Sequence, residues 1–454
     1  MNQTPLPAFL SCGATWGSGM LRMIGRQSWA GLAFAVALIL ASADGAKANH
    51  GPGANNGSTD GSAVPTTIYP AEWSAFKERF IAADGRVVDI EKAFVSHSEG
   101  QGYGLVLAVQ ADDRPTFDRI LRFTLENMSG RRDNLTSWLY DERTFPAISD
   151  TNNASDGDIM IAYGLIQASL KWDDRRYLSI AAPIVDDIGR LLLHRNDDMV
   201  LLRPAAFGFD QRQQPDGPVV NLSYYVYGAL LLFAEVNDRY PFFEAWQDGL
   251  KLTERAIARS GGHAPDWITA GDYRVGDPAD SFEKRSSYDA VRIPLYMVMG
   301  GRVPTSYLEP FDRSWNLSGF RAPLDVDLTH RRLAKPMNDP GYLTIAALTG
   351  CAVRGTAIPA SLQEFRITSY FSSSLHLMAL SAARRYYPQC VHGDAEVHSA
   401  RSDGDAPAEP TTTVFAGSAR PSGKLTLDEL PGFGRVPIEA SRGRSTAFPA
   451  AYNH

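Results

Sequence analysis

Cysteine is scarce in this chain, with 3 among 454 residues, and none belongs to a Cys/His spacing of the kind that holds zinc, so a structural zinc module is excluded. Long apolar runs are missing too. The run Ala30 to Ala41 near the start spans about 12 residues, short of the roughly 20 that a membrane-spanning helix needs. Basic residues are outnumbered, 44 Lys and Arg against 51 Asp and Glu for a formal charge of -7. Phosphate binding needs clustered cations, so nucleic acid is not the expected partner. Strand-like alternation is confined to short pieces such as Met199 to Arg203, which leaves an all-α domain as the expected class. No repeat is visible, and a solenoid is not expected.

What is present begins with Arg22 and Arg26 ahead of the Ala30 to Ala41 run, followed by Ala46-Lys47-Ala48. This is the pattern of a secretory signal peptide over residues 1–48, with Met20 as an alternative start. Its removal takes Arg22, Arg26, Lys47 and Asp44 and moves the formal charge from -7 to -9. The expected product is periplasmic or secreted, without a membrane anchor after processing, and better suited to a neutral substrate than to an anionic one. Cys351 and Cys390 remain in it, and an oxidising compartment permits a disulfide that sequence alone cannot place. Residues 49–66 are Gly/Asn-rich and read as a flexible lead. Residues 67–392 form the expected folded domain. Residues 393–454 have few core-forming positions and read as a disordered tail. Within the domain, helical stretches are expected at Trp73–Ala83, Gly102–Ala111, Thr116–Met128, Ile159–Trp172, Tyr177–His194, Tyr224–Asn237, Trp246–Ser260, Leu295–Gly300, Leu343–Thr349 and Ser372–Tyr387.

Three of these helices start among acids. In NASDGDIMIAYGLIQASLKW, Asn153 to Trp172, the residues Ile159, Tyr163, Ile166 and Leu170 form one apolar stripe. Ser155 and Asp158 have the spacing of a capping box. Asp156 is left as the chemical candidate, beside Gly157, which leaves room for something to approach the backbone. The alternative is that both acids merely complement the helix dipole. A metal reading of Asp156 and Asp158 lacks a third ligand. In SHSEGQGYG, Ser96 to Gly104, Ser98 is a plausible N-cap, Glu99 sits in the first turn, and three glycines suggest close approach by a bulky ligand. In SSYDAVRIP, Ser286 to Pro294, Arg292 lies three residues after Asp289 and can hold its carboxylate ionised, as a base requires. A surface salt bridge is the bland alternative. Pro294 suggests that the packed helix begins near Leu295.

These segments, with the SWLY stretch at 137–140 and HAPDWI at 263–268, resemble in order and separation the family 8 glycoside hydrolases, and among them the endoglucanases encoded with bacterial cellulose synthases. The resemblance covers roughly residues 70–390 and is looser over Phe207–Tyr227 and Pro323–Pro340. It implies an (α/α)6 barrel, inverting hydrolysis of β-1,4-glucan, no cofactor or metal, and association with cellulose-synthase machinery. Carried over residue by residue, Glu99 matches the proton donor, Asp289 the base that activates water, and Asp156 the acid contacting the sugar at the cleavage point, which is also described as a nucleophile.

Glycoside inversion asks for a protonated acid at the leaving oxygen and an ionised carboxylate holding water on the opposite face. Aromatic rings stack on sugar faces, and Tyr103, Trp138, Tyr140, Trp267 and Tyr288 lie in or near the motifs, Trp138 and Tyr140 ranking first. Each could equally be core. Xylan, chitosan or mixed-linkage glucan as substrate, and a non-catalytic glycan-binding role in an export complex, stand as the alternatives.

Overall fold

The computed structural model describes residues 64–391 except 197, 318–320 and 331. The expected signal peptide and tail, and the lead as far as residue 63, lie outside the described residues. The lead ends earlier than expected: Val64 and Ile68 are buried in the core, and the Thr67 amide donates to the Gln110 carbonyl at 2.9 Å.

Among the described residues the helices run α1 Pro70–Phe80, α2 Ser98–Gln110, α3 Arg114–Asn127, α4 Ser155–Trp172, α5 Arg175–Leu191, α6 Tyr227–Val236, α7 Phe242–Arg259, α8 Arg292–Met299, α9 Glu309–Leu317, α10 Pro340–Arg354, α11 Ala360–Gln363 and α12 Tyr370–Tyr386. Their hydropathy sorts them into two kinds. Every residue of α2 and α8 is buried, as are Ser155–Ala168 of α4 and Tyr370–Ala383 of α12. A helix apolar on all sides belongs inside a larger assembly. By contrast α5 buries Tyr177, Ala181, Ile184, Val185 and Ile188 on one side only, and α3 and α7 are likewise one-sided.

Packing follows that division. Helix α2 packs on α4, α4 on α6, α6 on α8, α8 on α10 and α12, and α12 returns to α2, closing an inner ring. Outside it α3 lies on α2, α5 on α4, α7 on α6, α9 on α10 and α1 on α12. This is the (α/α)6 barrel that the motifs implied.

Small sheets line the connections. Strands β1 Ser96–His97 and β2 Leu139–Tyr140 pair through Ser96↔Tyr140; β3 Leu193–Asn196 pairs with β4 Met199–Leu202. Strand β5 Val219–Asn221 pairs with β6 Trp267–Thr269 through Asn221↔Trp267. Strands β7 Arg285–Ser286, β8 Leu324–Asp327 and β9 Arg332–Pro336 form an antiparallel sheet. Cys351 in α10 and Cys390 beyond α12 are joined by a disulfide, with Cα atoms 6.1 Å apart.

Several local expectations are corrected by packing. Helix α8 starts at Arg292, and Pro294 sits at its third position, where the missing N–H has no intrahelical acceptor to lose. Leu170 ends the expected stripe but is exposed. The glycines of SEGQGYG serve helix contacts: a Cβ at Gly102 would lie 2.4 Å from Met160 Cβ on α4, one at Gly100 would lie 2.7 Å from the Tyr370 hydroxyl, and one at Gly104 would lie 2.6 Å from Val87 Cγ2. The visitor at Gly157 is protein as well, because its would-be Cβ lies 2.7 Å from the Glu99 nitrogen. Close approach of α2 to α4 brings the two acid-bearing starts together.

Candidate active site

Each acid is carried to one place by the start of an inner helix. Glu99 is the second residue of α2, Asp156 the second of α4, and Asp289 lies three residues before α8 begins. The α2 start is fixed by β1 and by the Ser98 amide, which donates to the Trp138 carbonyl at 2.9 Å. The N-cap is His97, not Ser98, and no side chain caps it. On α4 the N-cap is Ala154, again without a side-chain cap, so the expected capping box is absent.

Asp158 has another job. Fully buried, it accepts from the Thr136 amide at 2.7 Å, the Thr136 hydroxyl at 2.8 Å and Asn153 Nδ2 at 2.8 Å. It thereby ties the segment leading to Trp138 onto α4. Burial pushes its carboxyl up to about 7 against these three donors.

The centre of the cluster is Arg292, with no exposed surface. Its Nη1 donates to Glu99 Oε1 at 2.8 Å, Asp156 Oδ2 at 3.3 Å and the Tyr103 hydroxyl at 3.3 Å. Its Nη2 donates to Asp289 Oδ1 at 2.5 Å and Ser223 Oγ at 2.7 Å. The guanidinium carbon lies 5.7 Å from the Tyr224 ring and 5.6 Å from the Phe371 ring. The Asp289–Arg292 pair is thus the one expected from their spacing, but it is buried, not a surface bridge.

Glu99, Asp156 and Asp289 are almost wholly buried, and ions removed from water need partners. One guanidinium cannot neutralise three carboxylates, so the cluster favours retaining a proton. Burial and then the Glu99 charge push Asp156 up to about 8, opposed by Arg292. Asp289 is also raised by burial, opposed first by Arg292. A site that holds one proton and one ionised carboxylate on a shared cation has the parts for paired acid and base chemistry.

The aromatic candidates separate. Tyr103 is fully buried, its hydroxyl 2.7 Å from that of Tyr296, which removes it as a sugar platform and makes it part of the Arg292 cage. Trp267 is buried, with its ring near parallel to Phe282 at 4.3 Å and to Phe209 at 5.6 Å, and is a core ring. Trp138, Tyr140 and Tyr288 are half-buried. Trp138 stacks on His97 at 6.1 Å and donates from Nε1 to Asp150 at 3.0 Å. Tyr140 meets Phe123 edge-on at 5.2 Å, and Tyr288 meets Tyr342 edge-on at 5.8 Å.

Sequence reasoning did not single out Asp266, although it lies within HAPDWI. Its Oδ1 accepts from the Ser287 and Ala290 amides at 2.8 and 2.9 Å, holding the turn that carries Asp289. Burial and the Asp289 charge raise its carboxyl well above the usual range. Ser223 and Tyr224 were also unmarked, since nothing in NLSYY distinguishes them from core residues.

Comparison with known proteins places this arrangement. The model of the family described as "Glycosyl hydrolases family 8" matches residues 58–385. A probable endoglucanase of Novacetimonas hansenii is 31% identical over 313 residues, 68% of this chain and 90% of the relative. An endoglucanase of Cellulomonas uda is 31% identical over 315 residues, 67% of this chain and 82% of the relative. The solved structure of the endo-β-1,4-glucanase CMCax from Acetobacter xylinum is 31% identical and superposes with a TM-score of 0.61 over 70% of this chain and 98% of its own. With its barrel and its buried acid cluster, the chain belongs to glycosyl hydrolase family 8.

Proposed function

We propose that the protein is a secreted endo-β-1,4-glucanase that cleaves cellulose-type glucan with inversion of configuration and serves bacterial cellulose biosynthesis. The observation that carries this reading is the single guanidinium of Arg292, which reaches Glu99, Asp156 and Asp289 at once. The endoglucanase names of the relatives support the substrate class. The link to cellulose synthesis rests on the resemblance of the acid motifs to endoglucanases encoded with cellulose synthases, and secretion rests on the leader pattern of residues 1–48.

In this mechanism Asp289 takes a proton from water as the water oxygen bonds to the anomeric carbon. The bond from that carbon to the glycosidic oxygen breaks, and Glu99 delivers its proton to the departing oxygen. The hydrogen bond from Arg292 favours the ionised form of Asp289 against burial, and Asp156 contacts the sugar at the cleavage point. Because the Nη1 and Nη2 of one guanidinium bridge them, the bonded oxygens of Glu99 and Asp289 lie within roughly 8 Å of one another.

The test is reducing-end release from carboxymethyl cellulose, xylan, chitosan and mixed-linkage glucan by the wild type, Glu99→Gln and Asp289→Asn. Cellulose cleavage that each substitution lowers by several orders of magnitude, in folded protein, is the expected result. Wild-type turnover in either variant removes that residue from the mechanism, and inactivity on every glycan favours a binding role.

A further inference from the structure

Several buried polar atoms around the acid cluster have no hydrogen-bond partner at good geometry among the described residues, Arg292 Nε, Ser98 Oγ and Ser155 Oγ among them; the one whose orientation can be settled is Nδ2 of Asn221, on a side chain with no exposed surface. Its orientation is settled by its other end. Asn221 Oδ1 accepts from the Ser223 amide at 2.9 Å and the Ser223 hydroxyl at 2.7 Å. A backbone N–H can only donate, so the oxygen must face Ser223 and the NH2 must face away. The relay is directional. Arg292 Nη2 donates to Ser223 Oγ, Ser223 Oγ donates to Asn221 Oδ1, and both amide protons of Asn221 remain to be given. The group toward which they act is the carboxylate of Asp289, whose ionised form Asn221 favours.

Leaving a buried donor unsatisfied costs on the order of 1–3 kcal/mol, so Nδ2 needs an acceptor, and Asp289 or a water held on it is the one at hand. Asn221 ends β5, paired with Trp267 of β6, and Trp267 follows Asp266, whose carboxylate holds the Asp289 turn. The same two-stranded sheet therefore sets both supports of Asp289.

Resting on the reading of Asp289 as the base, we propose that Asn221 is a positioning residue that donates through Nδ2 to Asp289, or to the water Asp289 activates, and keeps that carboxylate ionised and aimed. The charged and titratable groups that face Asp289 are Arg292 of α8, Glu99 of α2, Asp156 of α4 and Asp266, the residue before β6. Of these, only Arg292 favours its ionised form, and Asn221 adds a neutral donor to that side without adding charge.

The experiment compares Asn221→Ser and Asn221→Asp with the wild type on cellopentaose, reading kcat, KM and the acid limb of the kcat profile, with Asp289→Asn alongside. Both substitutions keep an oxygen that can accept from the Ser223 amide, and both remove the amide donors. The expected result is a melting temperature close to wild type, KM within about twofold, kcat lowered about tenfold or more, and an acid limb moved about one unit upward in both. If Asn221 is merely a cap, Asn221→Ser keeps the wild-type kcat and acid limb, and that result overturns the proposal. Should Asn221→Ser fail to fold, an unchanged kcat and acid limb in Asn221→Asp, which matches Asn in volume, overturns it equally. Loss of turnover in Asp289→Asn with a normal Asn221→Ser removes only the role of Asn221. Normal turnover in Asp289→Asn removes the base reading itself.

Discussion

Gly157→Ala tests whether close contact between two helix starts sets the acid cluster. A Cβ there would lie 2.1 Å from Ser98 Oγ, 2.7 Å from the Ser98 carbonyl carbon and 2.7 Å from the Glu99 nitrogen. The hydroxyl can rotate away, but the two backbone atoms cannot. Bringing them to an ordinary contact near 3.4 Å requires the α2 start to retreat from α4 by about 0.7 Å, carrying Glu99 away from Asp156 and Arg292. Overpacking of this kind costs about 1–3 kcal/mol, and replacing Gly by Ala inside a helix returns up to about 1 kcal/mol. The expected net loss of stability is therefore modest, about 0–2 kcal/mol. Activity should suffer far more, because a misplacement on the order of 1 Å at a reacting group costs about a hundredfold. The assay pairs thermal melting with kcat on cellopentaose and uses Gly164→Ala as control. A Cβ at Gly164 would meet Leu105 Cβ at 3.0 Å in the same helix seam, two turns from the acids. The reasoning predicts a melting change in both variants and a large kcat loss only in Gly157→Ala. Near-normal kcat in Gly157→Ala, or an equal loss in Gly164→Ala, would refute it.

Asp158→Asn should cost about 3 kcal/mol in chemical denaturation, because the amide nitrogen that replaces one carboxylate oxygen must face donors, either the two from Thr136 or the one from Asn153. A cost near 1 kcal/mol would instead restore the capping role. For Asp156, raised to about 8 when folded from an ordinary value near 3.8, the folded state holds its proton more tightly than the unfolded one. Its contribution is fully present below about pH 4 and is lost as pH rises through 8. Asp156→Asn should therefore gain stability over the wild type between pH 5 and pH 8, by at most about 4 kcal/mol, and a gap that does not widen with pH contradicts the assignment. Trp138→Ala should raise KM for cellopentaose about tenfold, whereas Tyr103→Phe should leave KM unchanged and lower the melting temperature, since the Tyr296 hydroxyl loses its partner. An equal KM change in the two would place both rings, or neither, on the sugar.

Much of the barrel was legible because its helices carry their period in the sequence. The stretches expected around Thr116–Met128 and Tyr177–His194 correspond to α3 and α5, with ends displaced by a few residues at most. Helix α9, Glu309–Leu317, was missed; its polar run EPFDRSWNL shows only a short apolar face, and it forms by lying on α10. Site residues were legible where chemistry and spacing coincide, as in Asp289 and Arg292. What spacing could not show is that Arg292 also reaches Glu99 and Asp156, from 193 and 136 residues away. Nor can a ring's environment be read locally: Trp267 became core because Phe209 and Phe282 close on it from distant segments. Asp158 had the spacing of a cap, yet its acceptors are used by a loop 22 residues upstream.

The pairing of Glu99 as acid with Asp289 as base is tested most directly by stereochemistry. The measurement is the anomeric proton spectrum during the first minutes of cellopentaose digestion, before mutarotation mixes the anomers. A single displacement by water turns the β-linkage into an α-configured product, and the α-anomer should appear first. First appearance of the β-anomer would contradict the account and point to a covalent intermediate on a carboxylate, with Asp156 the nearest candidate.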